Sequence, residues 1–282
     1  MPDSTARLHL SFELNGNGAT ILRVKHQEPP WRVVRGFRLP SGETLAHLHN
    51  VSGGILDGDA LECRIDVTPG AQAQVTTTGA TRVYRSRSIE RIALQRLGVN
   101  VGERGYLEYL PDQLIPFAGS RFKQCTQVTL EHGASLVWWD MVAPGREAAG
   151  EIFRYESLAS SLELIACGQP IAVERWTVAP LLRDPAALAR LGPFLHFASC
   201  YVCQAGSPAA YWRKFETELQ EIADRLSGPE VLWGVTSLRA HGLVARGVAV
   251  SGRCLYQGLI EIWKAAKWSL CGRVATLPRK VH

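Results

Sequence analysis

Leu61-Glu62-Cys63-Arg64-Ile65-Asp66-Val67-Thr68-Pro69-Gly70-Ala71-Gln72-Ala73 is the stretch that decides the fold class. Apolar and polar residues alternate from Leu61 to Val67, the period-2 pattern of a strand with one buried face. Thr68-Pro69-Gly70 then interrupts it, because Pro presets φ at one turn position and Gly frees the next. The same unit returns in Val101-Gly102-Glu103-Arg104-Gly105-Tyr106-Leu107 and in Leu130-Glu131-His132-Gly133-Ala134-Ser135-Leu136. These tight Gly turns between strand-like runs lie about 30 residues apart. Such spacing suits β-hairpin layers stacked on one another, each covering the apolar face of the last. Ordinary sandwich hairpins would give a similar pattern. Either way the expected class is mainly β, a layered or solenoid-like stack of β-hairpins or strands.

Outward from this stretch the alternation continues in Leu8-His9-Leu10-Ser11-Phe12-Glu13-Leu14 and in Gln127-Val128-Thr129-Leu130, with Asn15-Gly16-Asn17-Gly18 as a further turn. The last third changes character. Ser207-Pro208 reads as an N-cap and first helical residue, and Tyr211, Phe215, Leu219, Ile222 and Leu226 follow at helical spacing up to the stop at Gly228-Pro229. A second helix is expected from about Cys254 to Leu270, its apolar side made by Leu255, Leu259, Ile262, Trp263 and Ala266. Strand-like runs Val231–Val235 and Gly242–Val250 lie between the two helices. The organisation expected is a single domain over 1–282, with a β-rich layered part at 1–180 and a mixed β/α closing part at 181–282.

Composition narrows the functional classes. With 282 residues and 46% apolar content, the chain can bury a large core. No apolar run is long enough to span a bilayer and the first residues lack a signal-peptide h-region, so a soluble cytoplasmic protein without a membrane role is expected. The net charge of +5 is carried by arginines spread singly, as in Arg32, Arg35 and Arg38, often with acidic neighbours. Aromatic residues are not interleaved with them as a base-stacking platform requires, which argues against nucleic acid. Seven scattered cysteines are unlike a disulfide framework, and most of them read as buried thiols.

Candidate reaction centres are sparse. Cys200-Tyr201-Val202-Cys203 has redox or metal spacing, but it lies in a strand-like run and no second ligand pair completes a zinc site. His47-Leu48-His49 would put two imidazoles on one strand face, a half-site at best. No nucleophile elbow, phosphate loop or dinucleotide fingerprint occurs. The carboxylates are more suggestive. Asp57-Gly58-Asp59 follows a Gly-Gly turn, Glu174 precedes Arg175-Trp176, and Asp140 ends the buried-looking run Leu136-Val137-Trp138-Trp139. A carboxylate that close to two tryptophans needs a partner or water.

Three further blocks carry a resemblance. Ser52-Gly53-Gly54-Ile55-Leu56-Asp57-Gly58-Asp59, then Thr76 to Ser86, then Leu107-Glu108-Tyr109-Leu110-Pro111-Asp112-Gln113-Leu114-Ile115-Pro116-Phe117, followed by Trp139-Asp140 and Gly145-Arg146, resemble in this order the urease accessory protein family UreD, also called UreH. The likeness runs from about Leu8 to Arg279. Thr78 stands where that family commonly has Gln, and Pro278-Arg279-Lys280-Val281-His282 lacks the Trp that commonly follows Pro-Arg. The resemblance implies a non-enzymatic scaffold without a tightly bound cofactor. Such a protein binds UreF and through it the GTPase UreG, docks on apo-urease and helps pass nickel to the enzyme by an internal route.

On that reading Asp59, Asp140 and Glu174 are the expected waypoints, since oxygen ligands and water hold Ni²⁺ loosely enough to release it. Tyr84, Arg85, Trp212, Trp263 and Trp268 are the expected partner anchors by residue type, with the two helices and their flanks as the side facing UreF. Two alternatives stay open from sequence: a carbohydrate-acting β-solenoid or sandwich enzyme with a carboxylate pair across a groove, and a metal or redox protein built on Cys200 and Cys203.

Overall fold

A computed structural model describes residues 4–88 and 90–277. In chain order its elements are β1 (Ser4–Leu14), β2 (Thr20–Gln27), β3 (Trp31–Arg32), β4 (Phe37–Arg38), β5 (Thr44–Asn50), β6 (Asp59–Val67), β7 (Gln72–Thr77), β8 (Thr81–Val83), β9 (Ala93–Val101), β10 (Tyr106–Tyr109), β11 (Leu114–Pro116), β12 (Arg121–Leu130), β13 (Ser135–Val142), β14 (Ser157–Ala166), β15 (Gln169–Val178), β16 (His196–Gln204), α1 (Ala209–Leu226), β17 (Val231–Ser237), β18 (Gly242–Ala249) and α2 (Gly252–Cys271). A 7-stranded sheet has the order β15-β14-β12-β9-β6-β1-β2. An 11-stranded sheet runs β17-β18-β16-β13-β10-β7-β5-β3, with β4, β8 and β11 attached beside this path. The chain is mainly β, as expected.

The stacking unit differs from the hairpin. Strands on either side of each Gly turn enter different sheets and do not pair with each other. β6, β9, β12 and β14 pair in parallel in one sheet, and β7, β10 and β13 do so in the other. Each turn is thus a corner between sheets, and the corners stack. Gly102 N–H donates to Val67 O at 2.8 Å, Gly70 N–H to Glu103 O at 2.9 Å, and Glu131 N–H to Val101 O at 2.9 Å. Gly102 is needed for this contact, because a Cβ there would stand 2.8 Å from the Pro69 nitrogen.

Two cores result. Between the sheets lie Leu8, Leu10, Phe12, Ile65, Val99, Val75, Leu136 and Trp138. On the other face of the 11-stranded sheet, Val137, Trp139, Met141, Cys200 and Val202 pack beneath Phe215, Leu219, Leu259 and Ile262 of the helices. β13 therefore faces apolar matter on both sides, which is why Leu136 to Trp139 read as continuously apolar instead of alternating.

Both expected helices are present with shifted starts. α1 begins one residue later than Ser207 predicts, with Pro208 in the extended cap position and no side-chain cap. Ser207 Oγ is otherwise engaged, donating to Gln204 O at 2.6 Å and accepting from Trp212 Nε1 at 2.7 Å. α2 begins two residues before Cys254, capped by the Ser251 side chain, and stops at left-handed Gly272.

A charged network locks α2 onto the sheet. Lys267, Glu43 and Glu108 are all 0% exposed. Lys267 Nζ lies 3.2 Å from Glu43 Oε1 and 3.1 Å from Glu108. Glu108 also accepts from Trp263 Nε1 and Tyr106 Oη at 2.7 Å and from Gln74 Nε2 at 2.6 Å. Arg273, just past α2, reaches Glu43, Gln72 and the Ser41 carbonyl. Burial pushes the Glu43 carboxyl up, but the Ser41 hydroxyl and the Lys267 charge outweigh it, so its pKa lies below the ordinary value.

Candidate functional site

The three blocks meet on one wall of the molecule. Ile55 N–H donates to Arg82 O at 2.7 Å and Tyr84 N–H to Ile55 O at 2.9 Å, joining the first block to the second. Thr81 N–H donates to Gln113 O at 2.9 Å, and β8 pairs in parallel with β11, joining the second to the third. Thr77 and Asp112 exchange two bonds, Thr77 Oγ1 to Asp112 Oδ2 at 3.1 Å and Asp112 N–H to Thr77 Oγ1 at 2.8 Å. Gly54 permits the closest approach, since a Cβ on it would stand 2.6 Å from the Tyr84 ring and 2.7 Å from Arg82 O.

This wall bounds a cavity of about 280 Å³ between the two sheets, which Asp140 and Glu174 also line, with Tyr109, Gln124 and Tyr201. Asp140 sits on the inter-sheet face of β13 because it alternates with Trp139 and Met141. Trp138 Nε1 donates to Asp140 Oδ2 at 2.8 Å. Burial, reinforced by the Glu174 charge, pushes the Asp140 carboxyl up to about 7, while the bonds from Trp138 and Gln124 restrain the rise. Glu174 accepts from the Tyr201 hydroxyl and from Arg246 Nη2 at 3.0 Å. Burial and this carboxylate hold the Tyr201 phenol protonated, well above its ordinary range. The arrangement offers oxygen ligands, one of which changes charge near neutral pH.

Other predicted residues fall elsewhere. Asp59 is not among the cavity-lining residues; its Oδ2 accepts from Leu56 N–H at 2.9 Å and closes the turn before β6. Trp212 and Trp263, expected as partner anchors, are instead core residues, 4% and 0% exposed, because they lie on the helix faces packed against the 11-stranded sheet. Trp268 is 63% exposed, Arg85 is exposed and Tyr84 is half-buried against Phe117. His47 and His49 share a face of β5, with His47 edge-on to Phe37. The Pro278-to-His282 departure lies outside the described residues.

Cys200 and Cys203 are three apart on β16 and therefore point to opposite faces, Cys200 toward the helices and Cys203 between the sheets. They cannot share a metal ion or a disulfide without rebuilding the strand. Burial pushes the Cys200 thiol up to about 12 and Cys203 higher still. Alkylation of the native protein is expected to modify exposed Cys167 and spare both until unfolding; peptide mass spectrometry after a short iodoacetamide pulse reads this directly.

The family model described as UreD urease accessory protein matches residues 4–282. The chain belongs to the UreD family. A protein from Herpetosiphon aurantiacus named Urease accessory protein UreD is 40% identical over 276 residues, covering 98% of this chain and 96% of that one. Namesakes from Dechloromonas aromatica and Deinococcus radiodurans are each 32% identical, covering 99% and 98% of this chain and 94% and 95% of their own. Membership in the UreD family thus rests on the whole chain, including the three blocks and the closing helices. These relatives are named as accessory proteins and not as catalysts. Among the described residues no helix is long and apolar enough to cross a membrane.

Two features escaped sequence reading. The Lys267 network could have been suspected from a lysine four residues after Trp263 on the apolar side of α2. The role of the three blocks as a cavity wall had no local signal, since their contacts cross tens of residues.

Proposed function

We propose that this chain is a cytoplasmic, non-enzymatic urease-maturation scaffold. It binds UreF and through it UreG, docks on apo-urease, and passes nickel through the inter-sheet cavity. The observation that carries the reading is the pair Asp140 and Glu174 lining a cavity whose wall is built by the three blocks. An internal carboxylate with a pKa near 7 suits a cation in transit, because proton competition lets it bind and release. Exposed Trp268 and Arg85 are the surface anchors that remain for a partner.

Reconstitution tests the reading. Apo-urease, UreF, UreG, GTP and Ni²⁺ are expected to give active urease only when this chain is added, and the chain is expected to co-purify with UreF. Equal activation without it would overturn the proposal.

A further inference from the structure

On one side of the sandwich the 11-stranded sheet projects past the other. Glu174 of β15 bonds Arg246 of β18 and Tyr201 of β16 across the gap between the sheets, so β15 lies over those strands and β17 extends beyond it. Trp233 of β17 packs beneath the helices, which turns Leu232, Gly234 and Thr236 to the inter-sheet side. All three are exposed there: Leu232 is 48% exposed, and a Cβ on Gly234 would meet nothing within 4 Å among the described residues.

Beside this bare strip runs the free edge of β15. Sheet edges invite pairing with another chain and are commonly blocked. The edge of β17 is blocked by α1 and its C-cap: Trp233 N–H donates to Ser227 Oγ at 2.9 Å, Val235 N–H to Gln220 Oε1 at 3.3 Å and Ser237 N–H to Glu216 Oε1 at 3.0 Å. At the far side of the 7-stranded sheet, β2 carries exposed Arg23, Lys25 and His26, with Lys25 bulged out of the pairing with β1. β3 has two residues. β15 has ten and, among the described residues, pairs with β14 alone. Its own irregularity lies at Pro170-Ile171 and leaves 172–178 regular.

The surroundings specify what pairs there. A strand added beside β15 turns alternate side chains toward the bare strip and toward the outer face of the 7-stranded sheet. The strip offers Leu232 and its partner Val248, which call for apolar residues. The outer face offers exposed Arg175, and the turn after β15 adds exposed Arg183 beside exposed Leu181 and Leu182. That turn is ordered, since Leu182 N–H and Arg183 N–H donate to Ala179 O at 2.9 and 3.0 Å. We propose that the free edge of β15 and the bare strip of β17 together take up an extended segment of a partner protein in which apolar and acidic residues alternate. Main-chain bonds to β15 hold the segment, apolar side chains fill the space over Gly234, and carboxylates meet Arg175. A second copy of this chain fits less well, because its β15 puts Val173, Arg175 and Thr177, and no carboxylate, on the outer face.

Hydrogen exchange of the full chain with a short synthetic peptide alternating valine and glutamate tests the surface, with a valine–lysine peptide as control. The glutamate peptide is expected to slow exchange within 172–178, and the lysine peptide to bind about tenfold or more weakly. Gly234→Trp fills the space over the strip and Arg175→Glu reverses the outer charge, and each is expected to weaken the glutamate peptide by about tenfold. Both positions are exposed, so both variants should fold. The surface is independent of nickel transfer, and a failed reconstitution of urease would leave it standing. No binding of the glutamate peptide, protection confined to other strands, equal affinity for the two peptides, wild-type affinity in either variant, or a dimer of the free chain that Gly234→Trp dissolves would each overturn the inference.

Discussion

Replacing Lys267 by Met is expected to destabilise the protein by about 3–5 kcal/mol, the cost of leaving a buried charge without its partner. The methionine matches the lysine stem, so packing of α2 changes little and the effect isolates the charge. Glu43 and Glu108, both 0% exposed, would then have Arg273 as the nearby cation, and of these two carboxylates Arg273 pairs with Glu43. Urea unfolding at neutral pH measures the loss. Adding Glu108→Gln to Lys267→Met should recover part of it, because the amide keeps an acceptor for Trp263 and Tyr106 without the charge. An unchanged unfolding midpoint in the single variant would show that the lysine neutralises neither carboxylate.

The same network sets an acid dependence. Glu43 has a folded pKa below its ordinary 4.5. Its stabilising contribution is therefore complete above about pH 4.5 and is lost as pH falls through the depressed folded value. In Lys267→Met one of the groups that depresses the pKa is gone, so this acid limb should flatten.

Much of the fold could be read along the chain, and the reasons mark where reading stops. Alternation in Leu61 to Val67 and the three Gly turns announced stacked strands, because both signals are local. Whether a turn joins two paired strands or two sheets is not local: it depends on hydrogen bonds such as Gly102 N–H to Val67 O, across 35 residues. The helical spacing of Phe215 and Leu219 was equally legible, whereas Ser207 lost its capping role to Trp212, a contact that only tertiary structure supplies. Tryptophan was the least legible residue. The same side chain is a core filler at Trp263 and a surface feature at Trp268, five positions on, and helix phase alone separates them once the packed face is known. Asp59 and Asp140 show the same limit for carboxylates. Each lies near a glycine turn or an aromatic pair in sequence, but only Asp140 belongs to the strand whose alternate face opens on the cavity.

That placement makes Asp140→Asn the variant with the largest expected functional effect. Nickel-dependent activation of urease in the reconstituted system should fall about tenfold or more, the scale seen when a group that tunes a metal site is lost. Association with UreF should persist, because Asp140 lies inside and not on the helices or the exposed rim. The amide retains an oxygen for Trp138 Nε1, so loss of activation would trace to the charge and not to the hydrogen bond. Stability supplies an independent readout with a definite sign. The folded pKa near 7 lies above the ordinary 3.8, so between these values the folded state binds the proton that the unfolded chain has released. This group therefore lowers wild-type stability progressively as pH rises from about 4 to 7 and leaves the penalty complete above 7. Asparagine carries no such penalty, so the variant should gain stability relative to wild type at pH 8 and lose that advantage at pH 4. A variant that is stabilised at pH 8 yet activates urease normally would confirm the raised pKa of the cavity carboxylate and remove Asp140 from the nickel route; one that loses activation together with UreF binding would place its role in assembly.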